Sequence, residues 1–280
     1  MLSALLVGII GSSALVLGGV LGSYWRPPRW VTGVFLAFAS GTLISALAFE
    51  LFPEAVELAG VPPAAGGLLV GAATFVVINA WLDSRVAAGA GDASELPAPD
   101  QAADSMAGAQ ADQTEKVAQA ADESRPGGPA GSAVGFALLA AVTLDGVPEN
   151  TALGVSLIAS ADAGITAGSL ALLFAIFASN FPEAMVGAIA MRSADRSPRF
   201  AIGVWSVAAL LLTIAVVVGY GALNGVDETA LGFALAFAGG AVLASLADTL
   251  MPEAFERGRP ASALATALGF LISFVLAEGF

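Results

Sequence analysis

Eight stretches of this chain are each long and apolar enough to cross a bilayer, and no other feature limits the fold so tightly. They cover 2–22, 30–52, 64–82, 132–159, 164–191, 200–220, 230–251 and 261–277. About 20 apolar residues span the hydrocarbon layer as a helix, and in lipid a helix satisfies its own backbone. Hydrophobic residues make up 57% of the chain and charged residues only 12%, against about 25% charged in an ordinary soluble domain. The expected fold is therefore all-α and integral to the membrane.

The positions of lysine and arginine test the count of spans. With eight spans and an external N-terminus, the inside segments are 23–29, 83–131, 192–199 and 252–260. Arg26, Arg29, Arg85, Lys116, Arg125, Arg192, Arg196, Arg199, Arg257 and Arg259 all fall there, and they are all ten basic residues of the chain. The outside segments hold Glu54, Glu57, Asp162, Asp227, Glu228 and Glu278. Basic residues gather on the cytoplasmic side, so the sequence predicts a multi-pass protein of the cell membrane with both termini outside.

The net charge of -13 is not evenly spread. Between Arg85 and Ala130 lie eight acids and three bases, a net of -5, with no aromatic residue. Such a segment buries too little apolar area to offset its ordering entropy. The chain accordingly divides into spans one to three at 1–83, a disordered acidic cytoplasmic loop at 84–131, spans four and five at 132–191, and spans six to eight at 192–280. No basic patch points to a nucleic-acid partner.

The sequence repeats internally. Residues 38–57, FASGTLISALAFELFPEAVE, and 237–256, FAGGAVLASLADTLMPEAFE, agree at ten of twenty positions with an offset of 199. The same offset carries span one onto span six and span three onto span eight. Spans two and seven cross in opposite senses, so the expected architecture is a 3+2+3 inverted-repeat bundle. Spans four and five lie between the halves and resemble each other at DGVPE (145–149) and SNFPE (179–183).

A charge within a spanning helix costs roughly 2.5 to 3.5 kcal/mol even on the gentlest scale, which makes each one a functional candidate. Asp145 and Glu149 share a face of span four at a spacing of four. On span five, Ser179 and Asn180 stand four and three residues before Glu183. Pro148 and Pro182 each remove a backbone N–H and release the carbonyl four residues earlier, those of Leu144 and Ala178. Carboxylates, an amide, a hydroxyl and free carbonyls suit a cation, and three carboxylates this close require positive charge among them. The chain has no histidine and no cysteine, so a His/Cys zinc site is excluded. Glu50 and Asp248, nearer the ends of spans two and seven, are pathway candidates. Glu54, Glu57, Glu253 and Glu256 are weaker ones.

Eight spans, both termini outside, a long loop between spans three and four and Pro-Glu motifs on spans four and five resemble the ZIP (Zrt/Irt-like) family of divalent metal transporters. The resemblance is carried by DGVPENTALG, NFPEA, LFPEA and LMPEA. It implies that Glu149 and Glu183 bind the transported metal within a set of Asp145, Glu149, Ser179, Asn180 and Glu183. It also implies zinc transport toward the cytoplasm, no enzymatic activity and no cofactor beyond the metal cargo itself, with spans one, four, five and six moving against the rest. The chain departs from the family pattern in several places. Asp145 stands where members carry His, Gly146 replaces the following Asn, Asn150 replaces the Gly after the glutamate, and span six offers only Ser206 and Thr213 in place of an acid. An oxygen-only site suits Mn, Mg, Ca or ferrous iron as well as zinc.

Two other classes remain open on the residues alone. The same carboxylates would serve a proton- or Na+-coupled transporter or channel for a different solute. The other is an intramembrane protease: the zinc type needs H-E-x-x-H, which the chain lacks, and an aspartyl type needs two acids on different helices, to which Asp145 with Glu183 is the nearest approach. Small residues such as Gly11, Gly18 and Gly22 permit close helix packing and a homodimer within the lipid bilayer.

Overall fold

In the computed structural model of the chain, residues 1–90, 143, 146–158, 166–193 and 195–278 are described. Among them the fold is all helix. The helices are α1 (Leu2–Tyr24), α2 (Arg29–Ala46), α3 (Phe52–Ala59), α4 (Val61–Ala90), α5 (146–158), α6 (Ala167–Ser193), α7 (Pro198–Leu223), α8 (Glu228–Ser245), α9 (Met251–Gly258) and α10 (Ser262–Glu278). A π-helical turn at Leu47–Leu51 joins α2 to α3 without a break, and another at Leu246–Leu250 joins α8 to α9.

Six of these helical runs are long and apolar enough to cross a membrane: Leu2–Tyr24, Arg29–Ala59, Val61–Leu82, Ala167–Ser193, Pro198–Leu223 and Glu228–Gly258. They correspond to expected spans one, two, three, five, six and seven. The eighth, α10, has 17 residues and is about 25 Å long, short of the roughly 30 Å hydrocarbon layer. The fourth lies partly outside the described residues, and the acidic stretch from residue 91 to 131 lies wholly outside them. Residues 84–90, placed in that loop by composition, continue helix α4.

The connections follow ordinary capping chemistry. Ser197 Oγ accepts from the Phe200 N–H at 3.1 Å, with Pro198 opening α7. Asp227 Oδ1 accepts from the Ala230 N–H at 3.1 Å at the start of α8. Both satisfy a donor that the first helical turn leaves orphaned. Gly60, at φ 78°, makes the joint between α3 and α4 that a side chain would strain.

The repeat reappears in the helix boundaries. Arg29, Ala46, Leu47, Leu51, Phe52 and Ala59 bound α2, the π-turn and α3; adding 199 to each gives Glu228, Ser245, Leu246, Leu250, Met251 and Gly258, the bounds of α8, the second π-turn and α9. The end of α1 at Tyr24 maps onto the end of α7 at Leu223. Pro53 and Pro252 explain the π-turns. A proline has no N–H for the carbonyl four residues back, and the chain widens instead, with the Phe52 N–H donating to the Leu47 carbonyl and the Met251 N–H to the Leu246 carbonyl.

Close backbone contacts give the helix directions. A methyl group on Gly33 would collide with Gly258, and one on Gly232 with Ala59. The start of each long run therefore meets the end of the other, and the two cross antiparallel. Helix α1 runs antiparallel to α7, with Gly8 on Val216 and Gly19 on Trp205, but parallel to α6, with Gly11 on Leu173 and Gly22 on Ala188. The third helix of each half packs on the second helix of the other: α4 lies along α8 and α10 along α2.

Burial is distributed as in a helix bundle whose outer surface is oily. On α7, Trp205, Leu212 and Val216 are buried while Leu210, Ile214 and Val218 are exposed. Thr42, Asn150, Ser179 and Asn180 are all buried in the interior. Large aliphatic side chains outside and small or polar ones at the helix contacts are the pattern lipid-facing bundles use.

Candidate functional site

Helices α5 and α6 carry the Pro-Glu pairs. Helix α6 runs unbroken from Ala167 to Ser193 with Pro182 inside it. Ser179 and Asn180 on this helix are both about 1% exposed, and Glu183 is half-buried one turn further along. From α5, Glu149 is buried at 6% exposure and reaches across to α6. The Ser179 hydroxyl donates to Glu149 Oε1 at 3.3 Å and to the Ile176 carbonyl at 3.0 Å. A single hydroxyl proton is thus shared between a carbonyl of its own helix and a carboxylate of the neighbouring one.

Two amides adjoin these residues in the chain. The Asn180 Nδ2 is buried with no hydrogen-bond partner among the described residues. Rotating that amide by 180° would put its carbonyl oxygen there instead, so the position offers a donor or an acceptor. Asn150 is fully buried; its Nδ2 donates to the Gly146 carbonyl at 2.8 Å, and its Oδ1 has no partner among the described residues. Asn150 sits one turn from both Gly146 and Gly154, which pack on Leu212 and Val216 of α7. In the sequence it figures only as a departure from a family motif. The signal that singles it out is an amide within an apolar span.

Of the five expected residues, Glu149 and Ser179 are brought together, and Asn180 and Glu183 lie on the same stretch of α6. Asp145 lies outside the described residues. Among the described residues, no group of three or more acidic side chains is assembled that would hold a metal ion. What is seen at the α5–α6 contact is a carboxylate and a hydroxyl, with the Asn180 amide next to Ser179 in the chain; their oxygens are donors suited to a hard cation. On α7, where an acid is lacking, Thr213 bonds the Gly8 carbonyl at 3.3 Å and the Ala209 carbonyl at 2.8 Å, and Ser206 bonds Ile202 of its own helix.

The two pathway candidates sit elsewhere, each on a π-turn. Glu50 packs its carboxylate against Gly168, in the first turn of α6, where the positive end of the helix dipole favours an anion. It is about 17 Å along the helix axis from Ser179. Asp248 is half-buried, and its Oδ2 accepts from Asn79 Nδ2 on α4 at 2.8 Å. Glu253 is held by Arg257 at 2.9 Å within α9. Glu54 is half-buried, and Glu57 and Glu256 are exposed.

No model of a known protein family matches the chain, and no curated protein matches it. Fold and site together define an all-helical protein with several helices compatible with a membrane, built on two antiparallel copies of one helical unit.

Proposed function

We propose that this chain is a secondary transporter of divalent metal cations, of the kind the ZIP family comprises, with eight spans in a 3+2+3 inverted arrangement in the cell membrane. The observation that supports it best is the approach of Ser179 to Glu149 across α5 and α6, with Glu183 one turn beyond. A carboxylate carried by an apolar, proline-bearing helix is expensive to keep in lipid, which makes each such residue a functional candidate. In this reading Glu149 and Glu183 supply the negative charge, Asp145, four residues before Glu149 in the sequence, adds a third carboxylate, and Ser179 and Asn180 complete the coordination. The cargo moves toward the cytoplasm as α1, α5, α6 and α7 shift against the remaining helices. Zinc, manganese and ferrous iron are the cargoes to compare first.

The test is uptake by the purified full-length protein in sealed vesicles carrying a metal-sensitive dye. Uptake of at least one divalent ion that falls to the level of empty vesicles in Glu149→Ala and Glu183→Ala is the expected result. Full uptake by both variants, or flux of protons or Na+ with no divalent ion crossing, overturns the proposal.

A further inference from the structure

Arginines gather where α1 and α6 end. Arg26 follows α1, Arg192 closes α6, and Arg196 lies in the turn into α7. The Arg26 Nη2 donates to the Arg192 carbonyl at 3.3 Å, and the Arg192 Nη1 donates to the Arg196 carbonyl. The three are therefore linked head to tail through backbone. Capping helix C-termini is an ordinary use of arginine, but it occupies only one N–H of the five on each of Arg26 and Arg192. Arg196 lies over the Phe200 ring at 5.6 Å. None of the three forms an ion pair among the described residues, and Asp195 in the same turn is not paired with them. Arg29 and Arg199 are exposed nearby in sequence. Among the described residues, positive charge here lacks a protein counter-ion.

An apolar stripe leads to the same place. Ile10, Leu17, Val20 and Tyr24 are 52%, 53%, 39% and 72% exposed, and their spacing places them along one side of α1. From Ile10 to Tyr24 the stripe is about 21 Å long, more than the roughly 15 Å depth of one bilayer leaflet. It ends at the exposed ring of Trp25, an aromatic suited to the headgroup level.

We infer that Arg26, Arg192 and Arg196 form a binding site for the phosphate of an anionic phospholipid whose acyl chain lies along the Ile10–Tyr24 stripe of α1. Guanidinium forks match phosphate oxygens in geometry and charge. Free phosphate would satisfy the arginines but leave the stripe unused, which is why the structure favours a lipid. The site is independent of the cation proposed above and rests only on the chain's being embedded in a bilayer.

The test is native mass spectrometry of the full-length protein released from detergent, offered phosphatidylglycerol or phosphatidylcholine with identical acyl chains. The protein should retain phosphatidylglycerol preferentially. Arg26→Gln combined with Arg196→Gln should reduce that preference on the order of tenfold, leaving Arg192 to close its turn. Arg259→Gln should leave the preference intact, since Arg259 is stacked on Phe255 at the end of α9. Equal retention of the two lipids overturns the inference, as does an unchanged preference in the double variant. An equal loss in Arg259→Gln would mean a diffuse effect of charge and also overturns it. So does complete displacement of the lipid by millimolar inorganic phosphate, or a lipid-free dimer cross-linked through Leu17→Cys, the chain having no other cysteine.

Discussion

The hydroxyl of Ser179 stands 3.3 Å from Glu149 Oε1 and 3.0 Å from the carbonyl of Ile176. Because its proton is divided between the two, Ser179→Ala should lower stability by no more than about 1 kcal/mol. The carboxylate loses a cross-helix neighbour all the same. If Glu149 holds a transported cation, the KM for uptake should rise roughly 3- to 10-fold while the melting temperature in detergent barely moves. A large loss of stability with unchanged KM would assign Ser179 to packing.

Asn79 and Asp248 are bonded at 2.8 Å between α4 and the second π-turn. Asn79→Leu leaves a half-buried carboxylate without its donor and should destabilise by about 1–3 kcal/mol. Thr74→Val on the same helix breaks only a bond to the Val70 carbonyl at an exposed position and should stay within about 0.5 kcal/mol. Thermal unfolding in one detergent compares the two directly.

Glycine contacts give a prediction with two signs. Gly33→Ala and Gly232→Ala each push a methyl into the backbone or side chain of the opposite half, and each should cost about 1–3 kcal/mol. At Gly203, inside α7, an added methyl would meet nothing within 4 Å. Gly203→Ala should stabilise by about 0.5–1 kcal/mol through helix propensity. Destabilisation of all three alike would contradict the antiparallel crossing.

Glu253 is 8% exposed and depends on Arg257 at 2.9 Å. Removing the cation alone, as Arg257→Met, strands a buried carboxylate and should cost about 1–3 kcal/mol, while Glu253→Gln with Arg257→Met should recover most of that loss. A double-mutant cycle on thermal stability measures the coupling. Additive losses would show the pair to be merely adjacent.

Much of the helical framework was legible in the residues. The two copies of F-A-x-G ending in Pro-Glu-Ala-x-Glu fixed an offset of 199, and helix bounds in the structure repeat it at seven positions. The π-turns were not legible, because a proline in a helix permits a kink, a break or a widened turn, and packing chooses among them. For the candidate site, the spacing of Ser179, Asn180 and Glu183 put them on one stretch of helix. Glu149 lying against Ser179 depends on how α5 packs on α6, which the spacing along either helix does not give. The Asn79–Asp248 bond joins residues 169 positions apart, a distance that local periodicity does not bridge. Burial of Asn150 likewise depends on how α5 lies against α7.

Each π-turn also sets the phase of the helix beyond it. A turn closed from Phe52 back to Leu47 contains one residue more than an α-turn, and deleting that residue would rotate the rest of the run by about 100°. Glu54 in one half and Glu253 in the other therefore owe their azimuth to a single surplus residue upstream. With it, Glu253 points inward at 8% exposure; shifted by 100°, the same Pro-Glu pair would address a different neighbour. In both halves a local irregularity, rather than the regular helix around it, decides where the acid points.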